Sequence, residues 1–564
     1  MVGAAAICLV CLALRMAEGR PHGPKDSAPA TSSEQNVNTQ SGLEYIGDET
    51  CAKCHTQIYD SYKRTPMAHA SGAAMDNFMP ADFTHRKSGV HYRIYSDSGQ
   101  AWLSFDRDGN NPIHGKRELL YYIGSGRRGL TYLFADDGFV FESPINWYGD
   151  RHVWDMTPSY QNAVEVPLNL PAHPGCLHCH VSGMRAPQDG TENRYETPLL
   201  THSGVSCERC HGPAAAHIRG GAVVNPAKLP PDRRDAICMQ CHMEGRVSIE
   251  RPGRHVYEFR PGDSLSDYVR YYVLADSSSS LGAVSQVEAL AQSGCKRAAG
   301  DSMSCTSCHD PHSSPSALQR VAYFREKCLA CHGEKFGAKH HPKQKDCTGC
   351  HMPALPSKDV AHTEVTDHRI PRVPNTSSQL LQDANASPDR LRLVPFPDSR
   401  EAEDDLRDLA LAWESLANTG MEAARTEAEQ MLRRSATQFP NDARTLSALG
   451  YEEQTHDDTP GARALYQRAI ASHLDLIEAA TNLGVIEAQS GNFPLAAKLL
   501  QGAFDREPGR SSVGMTLARV FCLEGRSDDA RAIVARVREF NPDMSAAKRL
   551  LEDLNRPKPS CSEN

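Results

Sequence analysis

The chain has 564 residues, of which 23% are charged and 40% hydrophobic, and its formal net charge is -9 at pH 7. At roughly 100–200 residues per domain, this length predicts about three domains, and the composition excludes a wholly disordered chain. The mildly acidic charge argues against a nucleic-acid-binding protein, which would carry a basic surface. No apolar run approaches the ~20 residues of a membrane-spanning helix. The unusual values are the 19 cysteines and 25 histidines.

The chain begins with a short apolar segment, AAAICLVCLAL at 4–14, followed by the small-x-small sequence Ala17-Glu18-Gly19. This arrangement is typical of a secretory signal peptide, although no Lys or Arg precedes the apolar run. We therefore predict a signal peptide over 1–19, export to the periplasm or the cell exterior, and no transmembrane segment. Residues 20–44 are polar and contain Pro, Ser and Thr, which predicts a disordered linker.

Residues 45–371 contain the sequence C-x-x-C-H seven times, and these motifs use 14 of the 19 cysteines. The pattern is that of covalent c-type haem: two thiols add to the vinyl groups of one porphyrin, and the adjacent imidazole binds the iron. Zinc held by paired C-x-x-C units and a thioredoxin-like redox motif are the alternatives, but neither explains a histidine after the second cysteine every time. We therefore predict seven haem c groups.

The predicted attachment residues are Cys51, Cys54, Cys176, Cys179, Cys207, Cys210, Cys238, Cys241, Cys305, Cys308, Cys328, Cys331, Cys347 and Cys350. The predicted proximal iron ligands are His55, His180, His211, His242, His309, His332 and His351. Outside the motifs and the apolar leader, Cys522 is predicted to be a buried packing residue, Cys561 an incidental residue of the tail, and Cys295 a thiol or packing residue.

The first two motifs are separated by a segment without C-x-x-C-H, in which we predict a small β-rich insert over about 86–150. Side chains over 90–105 alternate around a Ser-Gly turn, and those over 130–143 form a hairpin pattern around Asp-Asp-Gly. The sequence at 124–129 also matches G-x-G-x-x-G. A dinucleotide site would need a helix after it, whereas the following residues predict a strand, so we interpret it as a turn that presents two arginines.

Residues 372–404 are rich in Pro, Ser, Asn and Asp and predict a linker, and the composition then changes to a helical pattern over 405–555. Here Leu-Gly or Leu-Ala pairs, small residues and prolines recur every 34 residues, which is the period of the tetratricopeptide repeat (TPR). We predict an all-α TPR solenoid that binds a partner protein, with packing against the haem domain as the alternative. The predicted units are a degenerate repeat at 409–442, full repeats at 443–476, 477–510 and 511–544, a capping helix at 545–554 and a disordered tail at 556–564.

The haem region resembles the multihaem cytochromes c, including the tetrahaem carrier that accepts electrons from hydroxylamine oxidoreductase and larger relatives with a TPR tail. The resemblance is carried by YIGDETCAKCH (45–55), GVSCERCHGPAAAH (204–217), MSCTSCHDPH (303–312), CTGCHMP (347–353) and AHTEVTDHRI (361–370). It implies short helices and irregular chain around stacked haems, and it implies distal ligands at His217, His312 and His368. By position, His69, His202, His340 or His341, and His362 are further candidates.

Seven haems within some 300 residues must stack against one another, so we predict an electron-transfer protein with mostly bis-His iron and a redox partner docked on the repeats. The alternative is a multihaem reductase or oxidoreductase of a small nitrogen or sulfur compound, with one five-coordinate iron. A third hypothesis is a scaffold or sensor. No catalytic residue is predicted.

Overall fold

The computed structural model describes residues 45–109, 111–275, 281–333, 340, 345–373, 391–397, 405–473, 476–556 and 561. The predicted signal peptide, the linker after it and most of the second linker and of the tail therefore lie outside the described residues. In the ranges that are described, no helix combines the length and apolar character needed to cross a bilayer.

Two antiparallel sheets follow the first motif. One has the strand order β2-β3-β4-β5 and the other the order β1-β6-β7-β8-β9. Together they extend beyond the predicted β insert on both sides. The strands are β1 Ser71–Ala73, β2 Ala81–His85, β3 Val90–Asp97, β4 Gln100–Arg107, β5 Ile113–Leu119, β6 Tyr121–Ile123, β7 Gly129–Asp136, β8 Phe139–Tyr148 and β9 Val153–Met156.

Alternation of buried and more exposed side chains along the strands explains the four-stranded sheet. Tyr92 pairs with Phe105 and Ile94 with Leu103 across β3 and β4, and all four side chains are buried in one core. The predicted Ser-Gly turn between these strands has positive φ at both residues, 51° and 82°, which matches a two-residue hairpin loop with the right twist. The sequence at 124–129 joins β6 to β7, and it is therefore a hairpin turn and not the start of a helix.

The rest of the haem region consists of short helices, 3-10 turns and three small sheets. The β12-β13-β16 sheet includes a strand from within the predicted second linker, because Leu393 and its neighbours pair with the free edge of β13. The helices are α1 Asp48–Ala52, α2 Thr56–Tyr62, α3 Pro174–Leu177, α4 Cys207–His211, α5 Pro231–His242, α6 Gln286–Ala291, α7 Gly294–Ala299, α8 Arg320–His332 and α9 Thr348–His351. The strands are β10 Gly183–Met184, β11 Leu200–His202, β12 Val247–Glu250, β13 Val269–Leu274, β14 Ala354–Pro356, β15 Glu364–Thr366 and β16 Leu393–Phe396.

The C-terminal region is a row of antiparallel helix pairs, and its boundaries follow the predicted 34-residue period. Small residues let the helices of a pair approach closely: a methyl group added at Gly450 or Gly484 would lie 2.8 Å from Tyr466 or Leu500. The helices are α10 Asp405–Asn418, α11 Arg425–Gln438, α12 Ala443–Thr455, α13 Thr459–Ser472, α14 Ile477–Gln489, α15 Phe493–Arg506, α16 Ser511–Leu523, α17 Ser527–Phe540 and α18 Ser545–Leu554.

The helical array packs on the haem region near both of its ends. At the first end, α10 shares a hydrophobic core with β12, β13 and β16, and Arg251 Nη1 lies 2.5 Å from Asp408 Oδ2. At the other end, the fully buried Phe540 joins the core of the β sheets, with its ring centre 4.9 Å from that of Phe141. Beside it, Asp543 accepts a hydrogen bond from Arg107 at 2.8 Å.

The interpretation of two cysteines was wrong. Cys522, at 5% exposure, is buried as predicted, but it forms a disulfide with Cys561, which is therefore not incidental. The Cα atoms are 5.6 Å apart across a sequence separation of 39 residues. The disulfide attaches the tail to α16.

Candidate haem-binding site

Each of the seven motifs lies on, or directly beside, a turn of helix. The first cysteine of a motif and the second, three residues later, then face the same side, with the histidine one residue further along. The fourteen motif cysteines form no disulfide among the described residues, in contrast to the bonded pair in the repeats. The motif segments are α1 with the turn after it, α3 with the turn after it, α4, the end of α5, the 3-10 turn at Cys305–Ser307, the end of α8, and α9.

Four proximal histidines each face a second imidazole, and the distance between the two ring centres is similar in all four pairs. The ring-centre separations are 6.4 Å for His55 and His217, 6.0 Å for His211 and His312, 6.3 Å for His309 and His368, and 5.8 Å for His340 and His351. The ring planes of these pairs are inclined by 14°, 9°, 29° and 29° respectively.

This spacing is too wide for direct stacking and suits a metal between the rings. A metal–imidazole bond of about 2 Å on each side, plus about 1.1 Å from each nitrogen to its ring centre, gives roughly 6.2 Å. The observed separations bracket this value. The four pairs therefore fit haem iron with two axial imidazoles.

Backbone carbonyls orient several of these rings. The Nδ1 atom of His211 lies 2.9 Å from the carbonyl oxygen of Val224, and that of His368 lies 2.9 Å from that of Thr366. His351 Nδ1 lies 2.8 Å from the Pro371 carbonyl oxygen. A carbonyl oxygen can only accept, so Nδ1 carries the proton in each ring and Nε2 keeps its lone pair for a metal.

Burial also favours the neutral form of three of these imidazoles. Desolvation lowers the pKa of His309, His312 and His368 below the ordinary histidine value, and nearby histidines or Arg128 lower it further. A neutral imidazole is the form that binds iron. The same effect of burial lowers the pKa of His180 and His242.

The other predicted distal ligands have different surroundings. His69 Nε2 lies 2.6 Å from the Lys63 carbonyl oxygen, and His362 Nε2 lies 2.7 Å from Asp155 Oδ2. His202 lies in β11, opposite Gly183 of β10. His341 lies outside the described residues, whereas its neighbour His340 is the residue that faces His351.

Two of the other three proximal histidines, His180 and His242, differ from the four paired ones. Within the part of the chain that the structure describes, no histidine ring faces His180 or His242 at this spacing. His180 lies close to the β sheets, where Ser71 Oγ donates a hydrogen bond to its carbonyl oxygen at 2.9 Å.

Motifs that are distant in sequence are neighbours in space. The side chains of Cys51 and Cys207 lie close together, as do those of Cys179 and Cys241. Further contacts join Cys238 to Cys305 and Cys328 to Cys347. These contacts link the first motif to the third, the second to the fourth, the fourth to the fifth and the sixth to the seventh.

Two buried carboxylates hold the first and third motifs together. Asp48 Oδ1 accepts a hydrogen bond from the Cys207 amide at 2.9 Å, and Glu208 Oε2 accepts one from the Gly47 amide at 3.0 Å. A carboxylate from each of the motif helices α1 and α4 thus accepts a hydrogen bond from a backbone amide at the start of the other helix. Both carboxylates are buried, at 7% and 2% exposure, where such bonds are strong.

Three family models match separate parts of the chain. The "Cytochrome c554 and c-prime" model matches residues 146–212, the "Doubled CXXCH motif" model matches 297–337, and the "Tetratricopeptide repeat" model matches 487–554. Among curated proteins, the multiheme cytochrome MtrA of Shewanella baltica (strain OS185) is 25% identical over 184 residues, which is 29% of this chain and 54% of MtrA. The chain thus spans about half the length of that relative.

Solved structures of other proteins are similar to part of the chain. A crystal structure of MamA has 18% identity and a TM-score of 0.22, and covers 24% of this chain and 72% of that one. The PilF protein of Pseudomonas aeruginosa has 20% identity and a TM-score of 0.24, over 26% of this chain and 68% of that one. YrrB, described as a TPR protein with an unusual peptide-binding site, has 16% identity and a TM-score of 0.22, and covers 25% of this chain and 74% of that one.

The repeated motif and the matching cytochrome models define a c-type cytochrome with several haems. More particularly, this chain is a multihaem c-type cytochrome that combines a c554/c-prime region and a doubled C-x-x-C-H region with a C-terminal TPR array. Haem c is bound through the C-x-x-C-H motifs.

Proposed function

We propose that the protein carries seven haem c groups and transfers electrons along them outside the cytoplasm, with a partner protein docked on the repeats. The observation that carries this proposal is the set of four facing histidine pairs. Two axial imidazoles fill both open positions of a haem iron, so a substrate finds no free position there. When bound, haem iron supplies a couple that accepts and releases one electron.

The chain's own residues support a continuous path. The thiol contacts bring the attachment points of the first and third motifs side by side, and likewise those of the second and fourth, the fourth and fifth, and the sixth and seventh. The third motif is also close to the fourth, through Cys210 and Cys238. The fifth motif is close to the sixth, through Cys308 and Cys331. This adjacency favours a row of closely spaced redox centres over isolated ones.

Export is supported by chemistry that is independent of the leader sequence. The Cys522–Cys561 disulfide needs an oxidising compartment, where disulfides form and persist. We therefore place the protein in the periplasm or at the cell exterior.

For the repeats, we propose docking of a redox partner on the surface that the haem region leaves uncovered. Contacts with the haem region involve residues near the starts or ends of helices, including Asp408, Phe540 and Asp543. The net charge of -9 favours a partner with a basic surface.

The competing function is reduction or oxidation of a small nitrogen or sulfur compound. A cavity of about 250 Å³ favours it, because Arg64, Arg127, His69 and Tyr122 line this cavity and suit a small oxyanion. The cavity lies beside the segment that bonds to His180, a proximal histidine without a described facing ring.

The experiment is a haem count followed by a ligand challenge on protein matured in a periplasmic host. We expect seven haems per chain and no spectral change with cyanide or nitrite. Binding of either ligand to about one haem in seven would favour the enzyme, and a loss of that binding in R127Q would assign it to the cavity. A count below seven would refute the number of haems.

A further inference from the structure

A second cluster of metal-ligating residues lies away from the facing histidines, where the haem region meets the repeats. His173 precedes α3, Glu192 lies in the loop before β11, and Glu507 follows α15. One donor atom of each lies within 4.8 Å of the others. His173 Nδ1 is 3.2 Å from Glu192 Oε2.

The cluster is buried and its hydrogen bonding is incomplete. The side chains of His173, Glu192 and Glu507 are 12%, 11% and 4% exposed. Within the described chain, His173 Nε2 is buried without a hydrogen-bond partner. An unsatisfied buried polar atom is costly, so a group that binds or orients this imidazole would be favoured.

The charges around the cluster are also unbalanced. Arg510 pairs with both Glu507 and Glu478, and its Nη2 lies 2.7 Å from Glu478 Oε1. The guanidinium therefore opposes three carboxylates, those of Glu192, Glu478 and Glu507, which leaves a net charge of about -2 if all are ionised. Burial and the neighbouring carboxylates raise the pKa of Glu192, and burial lowers the pKa of His173 to about 4, so the imidazole is neutral.

We propose that His173, Glu192 and Glu507 bind one divalent transition-metal ion of the zinc class, which joins the haem region to the repeats. One imidazole and two carboxylates form a common ligand set for Zn²⁺, and a divalent ion cancels the excess negative charge. Ligand atoms around such an ion lie about 3.4 Å apart, so the observed spacing closes by about 1 Å on binding. His173 is three residues from Cys176, so the ion would also fix the start of the second haem motif.

The test uses the haem-loaded full chain, stripped with a chelator and titrated with Zn²⁺ in a calorimeter, with zinc measured by elemental analysis after dialysis. We expect one Zn²⁺ per chain, a higher unfolding temperature with zinc, and at least about tenfold weaker binding in H173Q and in E507Q. Because E507Q lies in the repeats, it keeps the test valid if H173Q fails to mature with haem.

H255Q is the matched control. His255 Nδ1 lies 3.1 Å from Glu250 Oε2, and these side chains are 14% and 13% exposed. They form a similar buried pair, but among the described residues they do not belong to a group of three metal-ligating side chains. We expect H255Q to bind zinc as the unaltered chain does.

Zinc-edge X-ray absorption of the unaltered chain should show nitrogen and oxygen neighbours only.

Three results would overturn the proposal. The first is no stoichiometric zinc in the unaltered chain, with a proton shared between the carboxyl groups instead. The second is a zinc affinity in both H173Q and E507Q equal to that of the unaltered chain. The third is a sulfur neighbour in the absorption spectrum, which would place the zinc on motif cysteines.

Discussion

Replacing His312 with alanine tests the assignment of a distal ligand most sharply. The ring centre of His312 lies 6.0 Å from that of His211, and we propose that the two imidazoles bind one iron. Removal of His312 opens one position on one of seven irons, so about 14% of the ferric haem should change from low-spin to high-spin. The His312 side chain is 40% exposed, so we expect a change in unfolding free energy of only about 0.5 kcal/mol.

The assay is low-temperature electron paramagnetic resonance of ferric H312A, with the high-spin signal integrated against total haem. Added imidazole should restore the low-spin form, because it replaces the missing ligand. H91A is the control: His91 is bonded to Asp82 at 2.9 Å on the β sheet and faces no motif histidine among the described residues. An unchanged spectrum for H312A, or the same change in H91A, would refute the pairing of His312 with His211.

Three further predictions concern the repeats. D543A should lower the unfolding free energy by about 3–5 kcal/mol in chemical denaturation, since Asp543 is 2% exposed and its loss leaves the Arg107 charge unpaired. C561S should lower the stability of the last repeats by up to about 4 kcal/mol in calorimetry, because the disulfide closes a loop of 39 residues. Burial raises the pKa of Glu414 to about 7, although a hydrogen bond from Asn418 acts in the opposite direction. The stabilisation that Glu414 contributes is therefore complete below about pH 4.5 and is lost as the pH rises through 7. Relative to E414Q, the unaltered chain should therefore lose at most about 3 kcal/mol between pH 5 and pH 8, measured by thermal unfolding.

Each of these has its own control. D528A removes a carboxylate that is 96% exposed in its pair with Arg531 and should change stability little; equal effects of D528A and D543A would contradict the interface contact. A reducing agent should reproduce C561S in the unaltered chain and have no effect on the variant's repeats. Parallel pH profiles for E414Q and the unaltered chain would show that Glu414 does not have the raised pKa.

Local patterns in the sequence predict much of this molecule. C-x-x-C-H is complete within five residues, so the attachment cysteines and the proximal histidines could be proposed directly. The 34-residue period likewise predicted every helix pair from 443 onward, because each pair is stabilised by neighbours at fixed spacing. Alternation predicted the hairpins of β3 with β4 and of β7 with β8.

Contacts between distant residues could not be predicted in the same way. His55 and His217 are 162 residues apart, and only resemblance to known cytochromes pointed to His217. The docking of Phe540 into the core of the β sheets has no local signal. The Cys522–Cys561 disulfide did have one: two cysteines outside C-x-x-C-H in a chain predicted to be exported are candidates for pairing.

The spin state of the unaltered ferric protein tests the central claim most directly. The facing imidazoles predict that the haems are low-spin and that their spectrum is indifferent to cyanide, and the seven C-x-x-C-H motifs predict seven haems per chain. A high-spin signal from about one haem in seven, with cyanide or nitrite bound to it, would show an open iron. That result would contradict a purely electron-transferring protein and make the enzyme the better account.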